Sequence, residues 1–248
     1  MSRFLTALPV FNEVNHVGEV LDHVLRYTSE VLVVDDGSTD GTSEMLRAKD
    51  GIRLVRHTEN RGYGAALATA FQETLRGGWD GLVTIDCDGQ HQPGLIPDFI
   101  HAAAHADIVS GSRYLEVFPG DSSPPAQRRQ INATITAEIN QRFGFSLTDA
   151  FCGFKAYSAK ALQCFRVHEM GYAMPLEIWV QAAEAGLVIR ELPVPLIYLD
   201  ESRSFGGALD DAERRLAYYR QVLDRAESAV VAVARDGLCS EFLRDFSA

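Results

Sequence analysis

The chain has 248 residues, with 34 acidic and 23 basic side chains and a formal net charge of −11. With 46% hydrophobic and 23% charged residues, it has a globular composition, which excludes disorder, collagen and coiled coil as descriptions of the whole. The acidic balance points away from nucleic acid, whose binders gain affinity by neutralising phosphates with surplus Lys and Arg.

The first 110 residues alternate strand-like and helix-like segments. Phe4 to Leu8 reads as a strand, and Val17, Val20, Leu21, Val24 and Leu25 follow at helical spacing. Val31 to Val34 is a continuous apolar run of the kind buried on both faces of a sheet. Thr42 to Lys49 is predicted as a short helix and Ile52 to Arg56 as a third strand. Leu67, Ala68, Phe71 and Leu75 form a second helical stripe; Leu82 to Ile85 and Asp107 to Ser110 are the fourth and fifth strands. Strands alternating with helices predict an α/β fold, a mostly parallel sheet flanked by helices.

Beyond Gly120 the pattern loosens. A loop at Asp121 to Pro125 precedes a helix over Ala126 to Phe143, a strand over Phe151 to Tyr157 and a helix over Pro175 to Ala185. Val188 to Leu199 is extended but carries Pro193 and Pro195, which suits an edge strand. Asp210 to Arg235 reads as a long final helix, with its two acids at the end the dipole favours. Its stripe through Leu216, Tyr219, Leu223, Val230 and Val233 suits core packing or a homodimer contact, and its Arg-containing polar face leaves membrane-surface attachment as the lesser alternative. The expected division is a catalytic domain over 1–205 and a C-terminal helical extension over 206–248.

Cys87, Cys152, Cys164 and Cys239 are scattered with no CxxC, so neither a zinc site nor a disulfide framework is expected, and a reducing cytoplasm is the default. Met1-Ser2-Arg3 runs straight into a strand rather than a signal peptide. The stretch Ala229 to Ala234 is far short of the ~18 apolar residues that span a bilayer. The expected location is cytoplasmic, soluble or peripheral on the inner face of the membrane.

In an open α/β sheet, ligands sit outside the carboxyl ends of the strands, and four polar clusters fall there. Strand one runs into Pro9-Val10-Phe11-Asn12-Glu13 and strand two into Asp35-Asp36-Gly37-Ser38. Asn60-Arg61-Gly62-Tyr63-Gly64 follows strand three, and Asp86-Cys87-Asp88-Gly89-Gln90-His91 ends strand four. Residues i and i+2 of a strand point the same way, so Asp86 and Asp88 are either a cation site for Mg²⁺ or Mn²⁺ or a simple turn. Asp35 and Asp36 are either a turn or acceptors for a base or ribose donor. Gly62 and Gly64 open a helix where backbone amides could approach a phosphate.

Leu8 to Glu13, Val33 to Thr42, Asn60 to Leu67, Asp86 to His91, Gly111-Ser112-Arg113-Tyr114 and Asp149 to Lys155 together resemble the family 2 glycosyltransferases, most closely the dolichyl- or polyprenyl-phosphate sugar synthases. The resemblance covers about residues 4 to 200, with all six motifs in the family's order. It implies a GT-A fold and inverting transfer from a nucleoside-diphosphate sugar, of GDP-mannose or UDP-glucose type, to an acceptor such as a polyprenyl phosphate. By the same resemblance Pro9, Phe11 and Glu13 line the nucleoside pocket and Asp36 contacts the base. Asp86, Asp88 and Gln90 surround the divalent cation. Arg113 and one of Arg128 or Arg129 face phosphates, and Asp149 is the candidate base, with Glu177 its rival. Where relatives carry a Gly-x-Ser-Lys segment this chain has Glu201 to Gly207, in which Arg203 stands as the substitute for the Lys. The rival readings are transfer to a soluble hydroxyl, a phosphatase of the haloacid dehalogenase type, and a silent nucleotide-sugar binder. The phosphatase wants a Thr or Val where Gln90 stands.

Overall fold

In the computed structural model, which describes residues 2–198 and 207–235, the elements follow the order read from the sequence. The first half contains β1 (Phe4–Val10), α1 (Val17–Val24), β2 (Val31–Asp35), α2 (Thr42–Arg47), β3 (Ile52–Arg56), α3 (Tyr63–Arg76), β4 (Gly81–Thr84), α4 (Ile96–Ala102) and β5 (Ile108–Ser112). The second half adds α5 (Ala126–Phe143), β6 (Lys155–Ser158), α6 (Ala159–Cys164), α7 (Met174–Glu184), β7 (Ile189–Pro193) and α8 (Ala212–Arg235).

One seven-stranded sheet carries the fold in the order β3-β2-β1-β4-β6-β5-β7. All pairings are parallel except those of β6 with β4 and β5. Strand period places alternate side chains on opposite faces. Leu5, Ala7, Leu32 and Val34 face the layer that includes α3, α5, α7 and α8. Leu8, Val10, Val31 and Val33 face the layer of α1, α2 and α4. The all-buried run Val31–Asp35 lies inside the sheet, and the proline-bearing segment is its edge strand β7, as expected.

Three departures have physical causes. The predicted strand Phe151 to Tyr157 begins only at Lys155, because residues 149–153 turn back onto the site; Thr84 Oγ1 donates to Gly153 O at 2.8 Å. Helices α4 and α6, of 7 and 6 residues, were not anticipated; Pro97 sits in the first turn of α4, and Ser158 caps α6 by accepting from Ala161 N–H at 3.1 Å. The last helix begins two residues late because Asp211 is its cap, accepting from Arg214 N–H at 2.8 Å. Tyr219, Val222, Leu223 and Ala226 of α8 are buried in the main core, so this face packs within its own chain and continues the fold of the first 198 residues. No helix among the described residues is long and apolar enough to cross a membrane.

Candidate active site

Strand order turns back at β1, with β2 on one side and β4 on the other, and ligands bind in the crevice at such a switch. A cavity of about 440 Å³ opens there. Its acidic lining residues, Glu13, Asp36, Asp86 and Asp88, all follow β1, β2 or β4. Its basic ones, Arg113, Arg128 and Arg215, come from the end of β5, from α5 and from α8. The acidic lining thus comes from the strand ends β1, β2 and β4, and the basic lining from β5 and the two helices.

In the acidic lining, the loop after β1 is tied to the loop after β2. Asn12, at φ 54, donates its N–H to Ser38 Oγ and accepts from Thr39 N–H, both at 2.9 Å. Glu13 N–H donates to Thr42 Oγ1 at 2.9 Å. These bonds set Pro9, Phe11 and Glu13 along the cavity. Asp36 is buried, and its carboxylate takes Arg61 N–H at 3.0 Å, Gly62 N–H at 2.7 Å and His57 Nδ1 at 2.6 Å. A carboxylate offers about four lone-pair directions, so one is left for a ligand. Asp35 does not join it. Neighbouring strand residues point oppositely, and Asp35 turns away from the cavity to accept from Ser38 N–H at 2.9 Å and from the Ser43 hydroxyl, and to pair with Arg56 at 3.2 Å. The expected substrate contact of Asp35 is therefore corrected to one of shaping the turn.

The glycines of the third cluster are also used differently from the expected phosphate cradle. Gly62 N–H goes to Asp36, and Gly64 N–H donates to Met170 O at 2.7 Å. A Cβ on Gly62 would lie 2.3 Å from Met170 O, and one on Gly64 2.2 Å from Glu169 O. Both are glycine because the start of α3 lies against the 169–171 segment, although Gly62 still borders the cavity.

Asp86 and Asp88 both line the cavity, but from the bend after β4, which ends at Thr84, so strand alternation is not what brings them together. Asp86 accepts from the Tyr63 hydroxyl at 3.0 Å and lies 3.3 Å from His91 Nε2. Burial raises the Asp86 pKa, but the contacts with His91 and Tyr63 and the charge of Lys155 outweigh it and hold the group below its ordinary value. Burial, with the Asp86 charge added, pushes the Tyr63 phenol well up, so it stays a donor. Asp88 accepts from Gln90 N–H at 3.0 Å. Among the described residues no group of three or more His, Cys, Asp and Glu forms a ready metal cage. An ionised, oriented Asp86 with Asp88 and Gln90 beside open space fits Mg²⁺ or Mn²⁺, which take one or two carboxylates and leave positions for phosphate oxygens.

In the basic lining, Arg113 forks onto Asp149, with Nε at 2.7 Å and Nη2 at 2.9 Å. Asp149 also accepts from Asn132 Nδ2 at 2.8 Å and from the N–H groups of Phe151 at 3.1 Å and Arg113 at 3.3 Å. It is fully buried and outside the cavity lining. Burial would raise its pKa, yet the Arg113 charge and these donors win and hold the carboxyl well below the usual carboxylate range. Five donors on a strongly acidic carboxylate leave no lone pair to take a proton. The expectation of Asp149 as base is corrected: it positions Arg113. Glu177 is no base either, because it lies off the cavity and accepts from His168 N–H and Glu169 N–H, both at 2.9 Å.

Successive helical residues point about 100° apart, so only one of the Arg128–Arg129 pair can face inward. Arg128 lines the cavity and donates to the Tyr198 hydroxyl. Arg129, expected among the catalytic groups, is exposed and outside the cavity lining, with its guanidinium 5.7 Å from the centre of the Tyr114 ring. Arg203 lies outside the described residues. Sequence reasoning missed Tyr63 and His91, although both stand inside quoted motifs, and Asn132. It also missed Arg215, which is buried, donates to Leu209 O at 2.7 Å and sits four residues before Tyr219 on the apolar stripe of α8. An Arg four residues before Tyr219, at the register of that apolar stripe, was the available signal.

Residues 6–166 match the family model described as glycosyl transferase family 2. An undecaprenyl-phosphate mannosyltransferase of Micrococcus luteus is 32% identical over 225 residues, 85% of this chain and 90% of that protein. A polyprenol monophosphomannose synthase of Mycolicibacterium smegmatis is 30% identical, over 92% of this chain and 91% of that protein. Among solved structures, glucosyl-3-phosphoglycerate synthase from Mycobacterium tuberculosis, in complex with Mn²⁺, uridine-diphosphate-glucose and phosphoglyceric acid, superposes with a TM-score of 0.69. That match has 19% identity and covers 92% of this chain and 80% of that one, a likeness of fold. The phosphatase and silent-binder readings fall away with these matches. Motifs in the expected order, a GT-A sheet and relatives that span nearly the whole chain agree: this glycosyltransferase belongs to glycosyl transferase family 2.

Proposed function

We propose that the enzyme moves a hexose from a nucleoside-diphosphate sugar to the phosphate of a polyprenyl phosphate, with inversion and with a divalent cation. The two charged sets lining one cavity carry this reading. Four carboxylates after β1, β2 and β4 supply groups for a cation beside a diphosphate, and Arg113, Arg128 and Arg215 from β5, α5 and α8 supply groups for a second phosphate. A hydroxyl nucleophile must lose a proton as it attacks and needs a positioned base. A phosphate oxygen is already an anion near neutral pH and needs orientation, which arginine forks supply. The two relatives named above, an undecaprenyl-phosphate mannosyltransferase and a polyprenol monophosphomannose synthase, support the same acceptor.

In this mechanism Pro9 and Phe11 flank the nucleoside, and the free lone pair of Asp36 accepts from the base or ribose. Asp86, Asp88 and Gln90 would hold the cation, which when bound neutralises the charge that builds on the departing diphosphate. Tyr63 and His91 keep Asp86 aimed at that position. Arg113, fixed by Asp149, orients the acceptor phosphate with help from Arg128 and Arg215. One phosphate oxygen bonds to the anomeric carbon as its bond to the diphosphate oxygen breaks, and that electron pair leaves with the nucleoside diphosphate. A single displacement inverts the centre, and no proton has to move. Since the acceptor is a membrane lipid, the enzyme works at a membrane surface on the cytoplasmic side.

Single-turnover transfer from GDP-mannose and UDP-glucose tests this, with Mn²⁺ or EDTA, offering short-chain polyprenyl phosphate, phosphoglyceric acid and sugar alcohols. The expected result is cation-dependent transfer to the lipid phosphate, with an inverted anomer by NMR. Phosphoglyceric acid is a necessary rival because the structural neighbour holds it. Transfer only to hydroxyls would overturn the acceptor assignment.

A further inference from the structure

We propose that segment 115–118, with Arg129 beside it, is the surface by which the enzyme docks on a bilayer with anionic headgroups. This rests on the lipid-phosphate reading above. Val117 is 91% exposed and Leu115 41%, and both lie outside the lining of the active cavity. A single exposed aliphatic residue needs no explanation. These two are informative by position, because they directly follow Tyr114, which lines the cavity beside Arg113. The Tyr114 ring lies between two guanidinium groups, Arg113 at 5.8 Å and Arg129 at 5.7 Å from its centre.

The segment is pinned at its base. Phe118 N–H donates to Asp121 Oδ2 at 2.8 Å, Asp121 Oδ1 accepts from Leu196 N–H at 2.9 Å, and Ser122 N–H donates to Leu196 O at 2.7 Å. Leu115 and Val117 therefore project from a loop tied to the continuation of β7.

Topology selects the bilayer as occupant. A lipid phosphate keeps its hydrocarbon in the membrane while its head reaches Arg113, so the mouth beside Arg113 must lie against the bilayer. Beside the cavity-lining Tyr114 stand Leu115 and Val117 in sequence and Arg129 in space, which forms no ion pair with a carboxylate among the described residues. Apolar groups reaching below the headgroups with Arg and Tyr at their level is the usual pattern of interfacial contact. Glu116, with Asp98 and Asp121 beside the segment, and the net charge of −11 oppose approach to an anionic surface, so the contact has to come from the aliphatic side chains and Arg129 and is shallow and reversible.

The test is flotation with phosphatidylcholine vesicles, with and without phosphatidylglycerol, comparing wild type with the Leu115→Ser/Val117→Ser double variant. The wild type is expected to float with both vesicle types and more with the anionic one. The variant is expected to partition about a hundredfold less well, since each of the two aliphatic side chains buried in lipid contributes about tenfold. Transfer to polyprenyl phosphate embedded in vesicles is expected to fall by a similar factor, while transfer to a water-soluble short-chain polyprenyl phosphate stays at the wild-type rate. The proposal is overturned if the variant floats and works on vesicles as the wild type does, or if the wild type never floats. In either case continued transfer to the short-chain phosphate leaves the acceptor reading standing. A wild type that transfers to no lipid phosphate in any form overturns both.

Discussion

Arg113 and Asp149 show how a single contact decides a role. Removing one partner of a buried pair strands the other and costs about 3–5 kcal/mol, so Asp149→Asn is expected to lose stability of that order at neutral pH. The pH dependence follows from the depressed pKa of Asp149. A carboxyl held below its unfolded value, near ~3.9, adds stability above that pH and loses it as pH falls through the folded value. Urea unfolding between pH 7 and 3 checks this: wild-type stability falls on the acid side of about pH 4, and the variant's curve is flatter there. Equal slopes would show that Asp149 is not held as an anion. In transfer assays the same variant raises KM for the acceptor while leaving donor affinity near wild type, because Arg113 loses its anchor and the donor-binding residues are untouched.

The acidic lining of the cavity has its own residue-scale prediction. Asp88→Ala is expected to keep the fold, since Asp88 lies on the rim of an open cavity, and to abolish the extra thermal stabilisation that Mn²⁺ gives to bound UDP or GDP. A ligand that binds only the native state raises the melting point by mass action, so the difference between nucleotide with and without Mn²⁺ isolates the cation. An unchanged Mn²⁺ dependence in the variant would remove Asp88 from the cation site.

At the scale of elements, the start of α3 joins packing to chemistry. Gly64 meets the 169–171 segment so closely that an added Cβ would fall 2.2 Å from Glu169 O, a backbone atom that cannot swing aside. Its neighbour Tyr63 stacks on Tyr172 at 5.8 Å and donates to Asp86. Gly64→Ala is therefore expected to cost about 1–3 kcal/mol through overpacking, about 2–4 °C of melting temperature per kcal/mol at this size. It is also expected to weaken cation-dependent nucleotide binding, because Tyr63 moves with the helix start. Calorimetry and the nucleotide panel together check it, and a stability loss with unchanged binding would separate the two roles of the helix start.

For the whole molecule, the expected C-terminal extension is bound into the domain. Tyr219, Val222 and Leu223 of α8 close one apolar layer, packed on α5 and α7, and Arg215 completes the basic lining of the cavity. A chain ended before Gly207 is expected to expose the apolar faces of α5 and α7, bind a hydrophobic dye and lose transfer. A truncated chain that melts cooperatively at the wild-type temperature would return α8 to a dispensable role.

Periodicity determined most of the architecture. The alternation of strands and helices, the buried run at Val31–Val34 and the edge strand at Pro193 are local patterns, because side-chain direction within a strand or helix depends on backbone repeat alone. Motif order likewise placed Glu13, Asp36, Asp86 and Asp88 on one rim, since parallel strands all present their carboxyl ends there. Local sequence could not say which of two adjacent acids faces the cavity, whether Asp149 is a base or an anchor, or which arginine of a pair turns inward. Those answers depend on partners far apart in the chain: Asp149 is defined by Arg113 thirty-six residues away, Asp36 by His57 and Gly62, and Gly64 by Met170. A carboxylate becomes a base, a ligand or an anchor according to how many donors surround it, and only the folded chain brings those donors together.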